Sequence, residues 1–218
     1  MYNIAIDGPA GAGKSTIAKI VAKKKGFIYV DTGAMYRTMA LACHRKGIKA
    51  SDEKQVVDTC KNVEISLDYV NDTQVVYLNG EDVSSFIRAE EIGNMTSAIA
   101  VYEPVRKILV EMQRKIASEK DVVMDGRDIG SAVLPNADLK IYLTASSRTR
   151  AERRYKELSE KGIDCNIDEI EKDIIDRDYR DMNREVSPLV QTEDAVLVDS
   201  SNMTIDEVVD TIIRLSCE

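Results

Sequence analysis

The chain alternates short apolar runs with stretches of helical periodicity. Residues 2–7 (YNIAID) predict a buried strand, and Lys14 to Lys25 then carry Ile17, Ile20 and Val21 at helical spacing. FIYVD at 27–31 predicts a second strand, followed by a helix from Ala34 to Lys46 that Gly47 stops. Between about 63 and 83 the period changes. Val63, Ile65, Leu67 and Tyr69 alternate with polar residues, Asn71-Asp72 offers a turn and VVYL precedes Asn79-Gly80, which predicts a small antiparallel hairpin insert. Helical periodicity returns over about 88–118, before the strands DVVMD (121–125) and LKIYL (139–143). An intensely charged helical segment runs from Ser146 to about Arg184 with a break near Gly162, and AVLVD (195–199) and a helix from about Thr204 finish the chain. This rhythm predicts an α/β fold with five parallel strands flanked by helices. No internal repeat, low-complexity tract or linker suggests two independent domains.

At 218 residues, 44% hydrophobic and 31% charged, the chain is long enough to bury a full core. Asp7 interrupts the apolar stretch Ile4–Ile6 and no basic segment precedes it, so no signal peptide is expected. No apolar run approaches the roughly 18 residues needed to span a bilayer. These features predict a soluble, cytoplasmic protein. A formal net charge of −8 argues against a nucleic-acid partner, which calls for a basic face, and the lack of a long apolar run argues against a membrane partner. Any anionic ligand must then meet a local cluster of positive charge. Cys43, Cys60, Cys165 and Cys217 are widely spaced, with no C-x-x-C pair, and read as ordinary thiols; His44, the only histidine, reads as structural.

Gly8-Pro9-Ala10-Gly11-Ala12-Gly13-Lys14-Ser15 matches G-x-x-x-x-G-K-[ST] at every fixed position, between a predicted strand and a predicted helix. The glycines let backbone N–H groups turn inward toward phosphate oxygens, and the start of the helix adds its positive dipole end. Residues 8–16, through Thr16, are therefore the candidate ATP site. Lys14 would bridge the β- and γ-phosphates and the Ser15 hydroxyl would help hold Mg²⁺. Such a loop does not separate kinases from ATPases or GTPases. The guanine-reading N-K-x-D motif is nowhere in the sequence, which weighs against a GTPase.

Further motifs are IDGPAGAGKST (6–16), DTGAMYR (31–37), LNGEDVS closing the insert, DGRDIG (125–130) and RDYRDMNR (177–184) with SPL just after. Through these the sequence resembles the bacterial cytidylate kinases, a branch of the nucleoside monophosphate kinases, over essentially its whole length. The resemblance implies a single P-loop kinase domain over 1–218. Its core would be about 1–50, 88–145 and 190–218, with a CMP-binding insert at about 60–87 and an ATP-covering lid at about 146–189. It also implies transfer of the γ-phosphoryl group of MgATP to CMP or dCMP by a monomer.

Residue by residue, the resemblance assigns Asp128, Arg106 and Ser97 to the base. The chemistry agrees, because cytosine N4 donates while N3 and O2 accept. Uracil would turn an acceptor toward the Asp128 carboxylate, a mismatch costing about a few kcal/mol. Arg37, Arg127 and Arg184 match positions that clamp the monophosphate, suited by their bidentate, permanently charged forks. Arg177 and Asp181 match sugar contacts, and Thr32 and Tyr36 belong to the motif lining the nucleotide site. Arg177, Arg180 and Arg184 share one helical face by spacing. Arg148, Arg150, Arg153 and Arg154 open the charged segment on what the family uses as the ATP side, and Arg154 is the candidate ATP contact there. Asp125, at a strand end, is a candidate to orient Mg²⁺. With Lys14, Arg127 and Arg184 as catalytic groups, no general base is required. Two alternatives stay open: a kinase of the same fold with another acceptor, and a nucleotide-dependent switch without turnover.

Overall fold

A computed structural model describes residues 1–70 and 73–217. The expected Asn71-Asp72 turn lies outside them. The chain forms two compact units, residues 1–29 with 120–218 and residues 30–119. Among the described residues no helix is long and apolar enough to cross a membrane.

The first unit is built on five strands in the order β2-β6-β1-β7-β8. They are β1 (Asn3–Asp7), β2 (Ile28–Asp31, which leads into the second unit), β6 (Val122–Gly126), β7 (Leu139–Thr144) and β8 (Val196–Asp199). Parallel pairing sets Asp7 opposite Gly126 and Tyr142, so β1 and β6 finish level with one another while β7 runs two residues further, to Thr144. The predicted strands of this unit are thus found, each within a residue or two of its expected bounds. Both faces of such a sheet are covered, which is why these strands read as unbroken apolar runs. Ile4, Ile6, Val123, Ile141, Leu143 and Val198 bury against Ile17 and Val21 of α1 (Lys14–Lys25) and Val208, Val209 and Ile212 of α8 (Ile205–Leu215). A reciprocal capping box between Thr204 and Glu207 starts α8. The charged segment folds as α6 (Ser147–Glu160) and α7 (Ile167–Asn183), packed on each other and separated at Gly162. One feature had no sequence signal: a single π-helical turn, Ile129–Val133, directly after Arg127-Asp128.

The second unit contains α2 (Thr32–Arg45), α3 (Glu53–Lys61), α4 (Glu90–Ile99), α5 (Glu103–Glu119) and an antiparallel sheet of β3 (Ile65–Val70), β4 (Thr73–Leu78) and β5 (Glu81–Asp82). The insert is therefore a three-stranded meander rather than a bare hairpin. Its tight connection is Asn79-Gly80, where both residues take positive φ (50° and 83°) as a two-residue hairpin turn requires. Helix α2 begins two residues before its predicted start, because the Asp31 carboxylate accepts from the Ala34 N–H at 2.9 Å and caps the helix there. The helical periodicity over 88–118 belongs to two helices, with Pro104 in the first turn of α5, the place where a missing N–H is tolerated. α2 packs against α3, α4 and β4, burying Met35, Met39 and Leu41.

Candidate functional site

In the first unit, β1 delivers the chain into the phosphate-binding loop at Gly8. There φ is +148°, and a Cβ would lie 1.9 Å from the Leu143 carbonyl oxygen of β7. The loop thus rests backbone to backbone on the neighbouring strand, a closeness only glycine permits. The loop ends at Gly13, whose position before α1 carries no side-chain cap, and the first turn of α1 has no acidic residue. Its N–H groups are left for an anion.

Lys14, the first residue of α1, is 5% exposed, and its ammonium donates to the Pro9 carbonyl at 2.7 Å. Burial, and then the nearby Arg127, push its pKa from 10.5 down to about 7, against the pull of Asp125, Asp7 and Asp181. The next residue, Ser15, donates its hydroxyl to Asp125 Oδ2 at 2.9 Å, and Tyr29 donates to Asp125 Oδ1 at 2.8 Å. Tyr29 escaped the sequence analysis because it stands in an apolar strand and reads as core. Asp125 with Ser15 offers hard oxygen donors beside the loop, and among the described residues no cluster of three or more His, Cys, Asp or Glu side chains could cage an ion. This set fits Mg²⁺, which keeps most of its shell as water and phosphate oxygen.

Beyond Asp125 the chain continues into Arg127 and Asp128, and here α7 meets the sheet. Arg127 Nε donates to Asp181 Oδ2 at 2.7 Å. The Arg184 guanidinium lies 3.7 Å from Asp128 Oδ1 and donates from Nε to the Ser187 carbonyl at 2.6 Å. Burial raises the pKa of Asp181, but Arg127, Arg177 and Arg184 outweigh it and hold the carboxyl below its ordinary value. Lys14, Ser15, Asp125, Arg127, Asp128, Arg177, Asp181 and Arg184, proposed separately from the sequence, are thus joined by short contacts or mutual charge within one unit.

The four arginines that open α6 differ in kind. Arg150 is 5% exposed and its guanidinium is fully engaged, donating to the carbonyls of Ala145 and Ala10 at 2.9 Å each and pairing with Asp178 Oδ2 at 2.7 Å. It ties the phosphate loop to the middle of α7. Arg154, the candidate ATP contact, is half exposed and pairs with Glu157 at 2.8 Å. Arg148 meets Asp168 and Glu171, and Arg153 donates to the Ser200 carbonyl.

The second unit carries the other candidates. Thr32 is buried as the first residue of α2. Tyr36, one turn on, lies under Arg106, whose guanidinium carbon is 5.4 Å from the ring centroid; Arg106 is 4% exposed and donates to the Ala100 carbonyl at 3.0 Å. Arg37 donates to the Ile87 carbonyl at 3.2 Å, and burial, with Arg88 nearby, lowers its pKa against the pull of Asp31. Ser97 is exposed on α4 and donates to the Gly93 carbonyl at 3.3 Å. Arg88, which ends the short helical turn Phe86–Arg88, was not singled out from sequence, where a lone arginine carries no signal.

The sequence profile of the family described as cytidylate kinase matches residues 4–217. The chain is 49% identical over 208 residues to a cytidylate kinase of Leuconostoc mesenteroides, covering 95% of this chain and 93% of that protein. It is 46% identical over 213 residues to one from Bacillus cereus, covering 98% and 95%. Among solved structures, it is similar to an uncharacterized protein from Eubacterium ventriosum, with a TM-score of 0.53 at 14% identity over 99% of this chain and 98% of that one.

Proposed function

We propose that this chain, which belongs to the cytidylate kinase family, transfers the γ-phosphoryl group of MgATP to CMP and dCMP in cytoplasmic pyrimidine nucleotide metabolism. The observation that carries the reading is the meeting, at the level ends of paired strands β1 and β6, of a phosphate-binding loop with an arginine and a buried carboxylate, Arg127 and Asp128. Ligands of open α/β sheets bind at such carboxyl ends.

Residues 8–16 would cradle the ATP phosphates, with Lys14 placed for the β- and γ-oxygens and Arg154 toward ATP from the lid. Ser15 and Asp125 would hold Mg²⁺, which supplies neutralisation of phosphate charge. Arg37, Arg127 and Arg184 would clamp the CMP phosphate, Arg177 and Asp181 the sugar, Asp128, Arg106 and Ser97 the base, with Thr32 and Tyr36 lining the nucleotide. The accepting phosphate is already anionic, so the work is alignment and the spreading of charge in a loose transition state. Lys14, Arg127 and Arg184 would do that work with no general base.

On this reading 1–218 acts as one kinase domain and a monomer, with about 60–87 enlarging the CMP-binding segment and about 146–189 closing as a lid to exclude water. A net charge of −8 supports small-molecule partners rather than nucleic acid, and the sequence has no apolar run of membrane-spanning length to support a membrane partner.

The test is ADP release with MgATP and, in parallel, CMP, dCMP, UMP, AMP, GMP or no acceptor. Turnover with CMP and dCMP, far weaker with UMP and slight without acceptor, is expected, and Asp128→Ala should erase the preference over UMP. ATP binding without conversion of any monophosphate would discard the kinase reading.

A further inference from the structure

Asp7 ends β1 one residue before the phosphate loop, is 6% exposed, and has no place in the roles assigned so far. Its carboxylate grips two consecutive amides. Oδ1 accepts from the Ile129 N–H at 2.8 Å and Oδ2 from the Gly130 N–H at 2.7 Å. These amides open the π-helical turn that follows Asp128. The same turn holds Asp128 from the other side, since the N–H groups of Ala132 and Val133 both donate to its carbonyl, at 2.8 and 3.1 Å. The main chain of Asp128 is therefore fixed through its own carbonyl and through the two residues after it.

The identity of residue 7 matters for this grip. A carboxylate accepts through both oxygens, matching two parallel N–H donors; an asparagine has one acceptor and would turn its own NH₂ toward the second amide. A Cβ at Gly130 would stand in ordinary contact with Asp7 Oδ2, at 3.4 Å, and closer, at 3.1 Å, to Lys140 Cδ. Burying a carboxylate is unfavourable, and burial pushes the pKa of Asp7 up to about 6 although both amides oppose it. An asparagine would avoid that cost, so the charge serves an arrangement that a neutral isostere would not maintain.

The geometry points to Asp7 as a positioning residue for the acceptor nucleotide: by holding the amides of Ile129 and Gly130 it aims the Asp128 carboxylate and so sets selectivity for cytosine. This rests on the reading of Asp128 as the group that meets the base. The rival role for Asp7 runs through Lys14, whose charge also acts on it and which belongs to the ATP side.

The two roles separate in Asp7→Asn, assayed as the full chain with CMP, UMP and ATP each varied. The positioning role predicts that KM for CMP rises about tenfold and the CMP-over-UMP ratio in kcat/KM falls by a similar factor, while KM for ATP stays within about twofold. A rise in KM for ATP with that ratio unchanged, or equal rises in both KM values, overturns the proposal. If the variant does not fold, amide hydrogen exchange on the parent protein decides: Ile129 and Gly130 should gain protection with CMP and not with a non-hydrolysable ATP analogue. Equal gain, or none, overturns it. Parent protein that fails to convert CMP would instead remove the kinase reading itself, a result visible in the same plate.

Discussion

Replacing Arg150 by methionine would cut the tie between the phosphate loop and α7. The guanidinium is 5% exposed and satisfies three partners: the carbonyls of Ala10 and Ala145 and the carboxylate of Asp178. Methionine fills similar volume but leaves Asp178 charged and 9% exposed, with Oδ1 already lacking a hydrogen-bond partner among the described residues. Breaking a buried pair from one side costs about 3–5 kcal/mol. A loss of about 4 kcal/mol is therefore expected. For a chain of this length that lowers the midpoint of thermal unfolding by about 8–16 °C, at about 2–4 °C per kcal/mol. Urea unfolding of the parent, Arg150→Met and the double variant Arg150→Met/Asp178→Leu measures it directly. The double variant should recover most of the loss, because it strands no charge. A single variant within about 1 kcal/mol of the parent, or a double variant as costly as the single, would refute the account of Arg150 as the partner that makes the Asp178 charge tolerable.

Three further outcomes follow from the same geometry. Gly8→Ala would drive a Cβ against the Leu143 carbonyl, with backbone on both sides, and should lose at least about 2 kcal/mol of stability together with ATP affinity, read by unfolding and by nucleotide titration. For Lys14 the folded pKa of about 7 lies below the ordinary 10.5, so the folded state binds fewer protons across that window and stability contributed by this group rises with pH through it. Lys14→Met should therefore stabilise the ligand-free protein, more at pH 7 than at pH 10, while abolishing phosphoryl transfer; unfolding midpoints at the two pH values check the sign. Asp125→Asn should raise the Mg²⁺ concentration for half-maximal rate severalfold, and an unchanged Mg²⁺ profile would take Asp125 out of the metal's surroundings.

The sheet and its long helices were legible because local signals agreed: unbroken apolar runs for strands covered on both faces, and helical periodicity between them. The phosphate loop was legible because its glycines and lysine are fixed by backbone geometry and charge, which sequence displays directly. What stayed hidden depends on contacts far apart in the chain. Helix α3 has only Val56, Val57 and Cys60 to bury among its nonpolar residues, too few to announce a period, and owes its start to the Asp52 cap. Asp7 lies over a hundred residues from the amides it holds, and its position at a strand end is shared by many acids without a partner. Tyr29 is a strand residue whose hydroxyl matters only because β6 brings Asp125 within reach. The basic cluster opening α6 could be seen from spacing, but only packing separates the buried Arg150 from Arg148 and Arg154 in their surface pairs.

Arg127 and Arg184 each already face a carboxylate, Asp181 and Asp128. On the proposed reading, a phosphate arriving at either one would substitute for an anion that the protein itself supplies, and the site would work as an ion exchanger loaded with its own counter-ion. A stray chloride or acetate brings one negative charge to guanidinium groups that have one, and gains little by entering. A dianion with more oxygens than the carboxylate gains more. Selection among anions would then precede any reading of a base, and substrate binding should weaken with salt less steeply than the number of arginines would suggest.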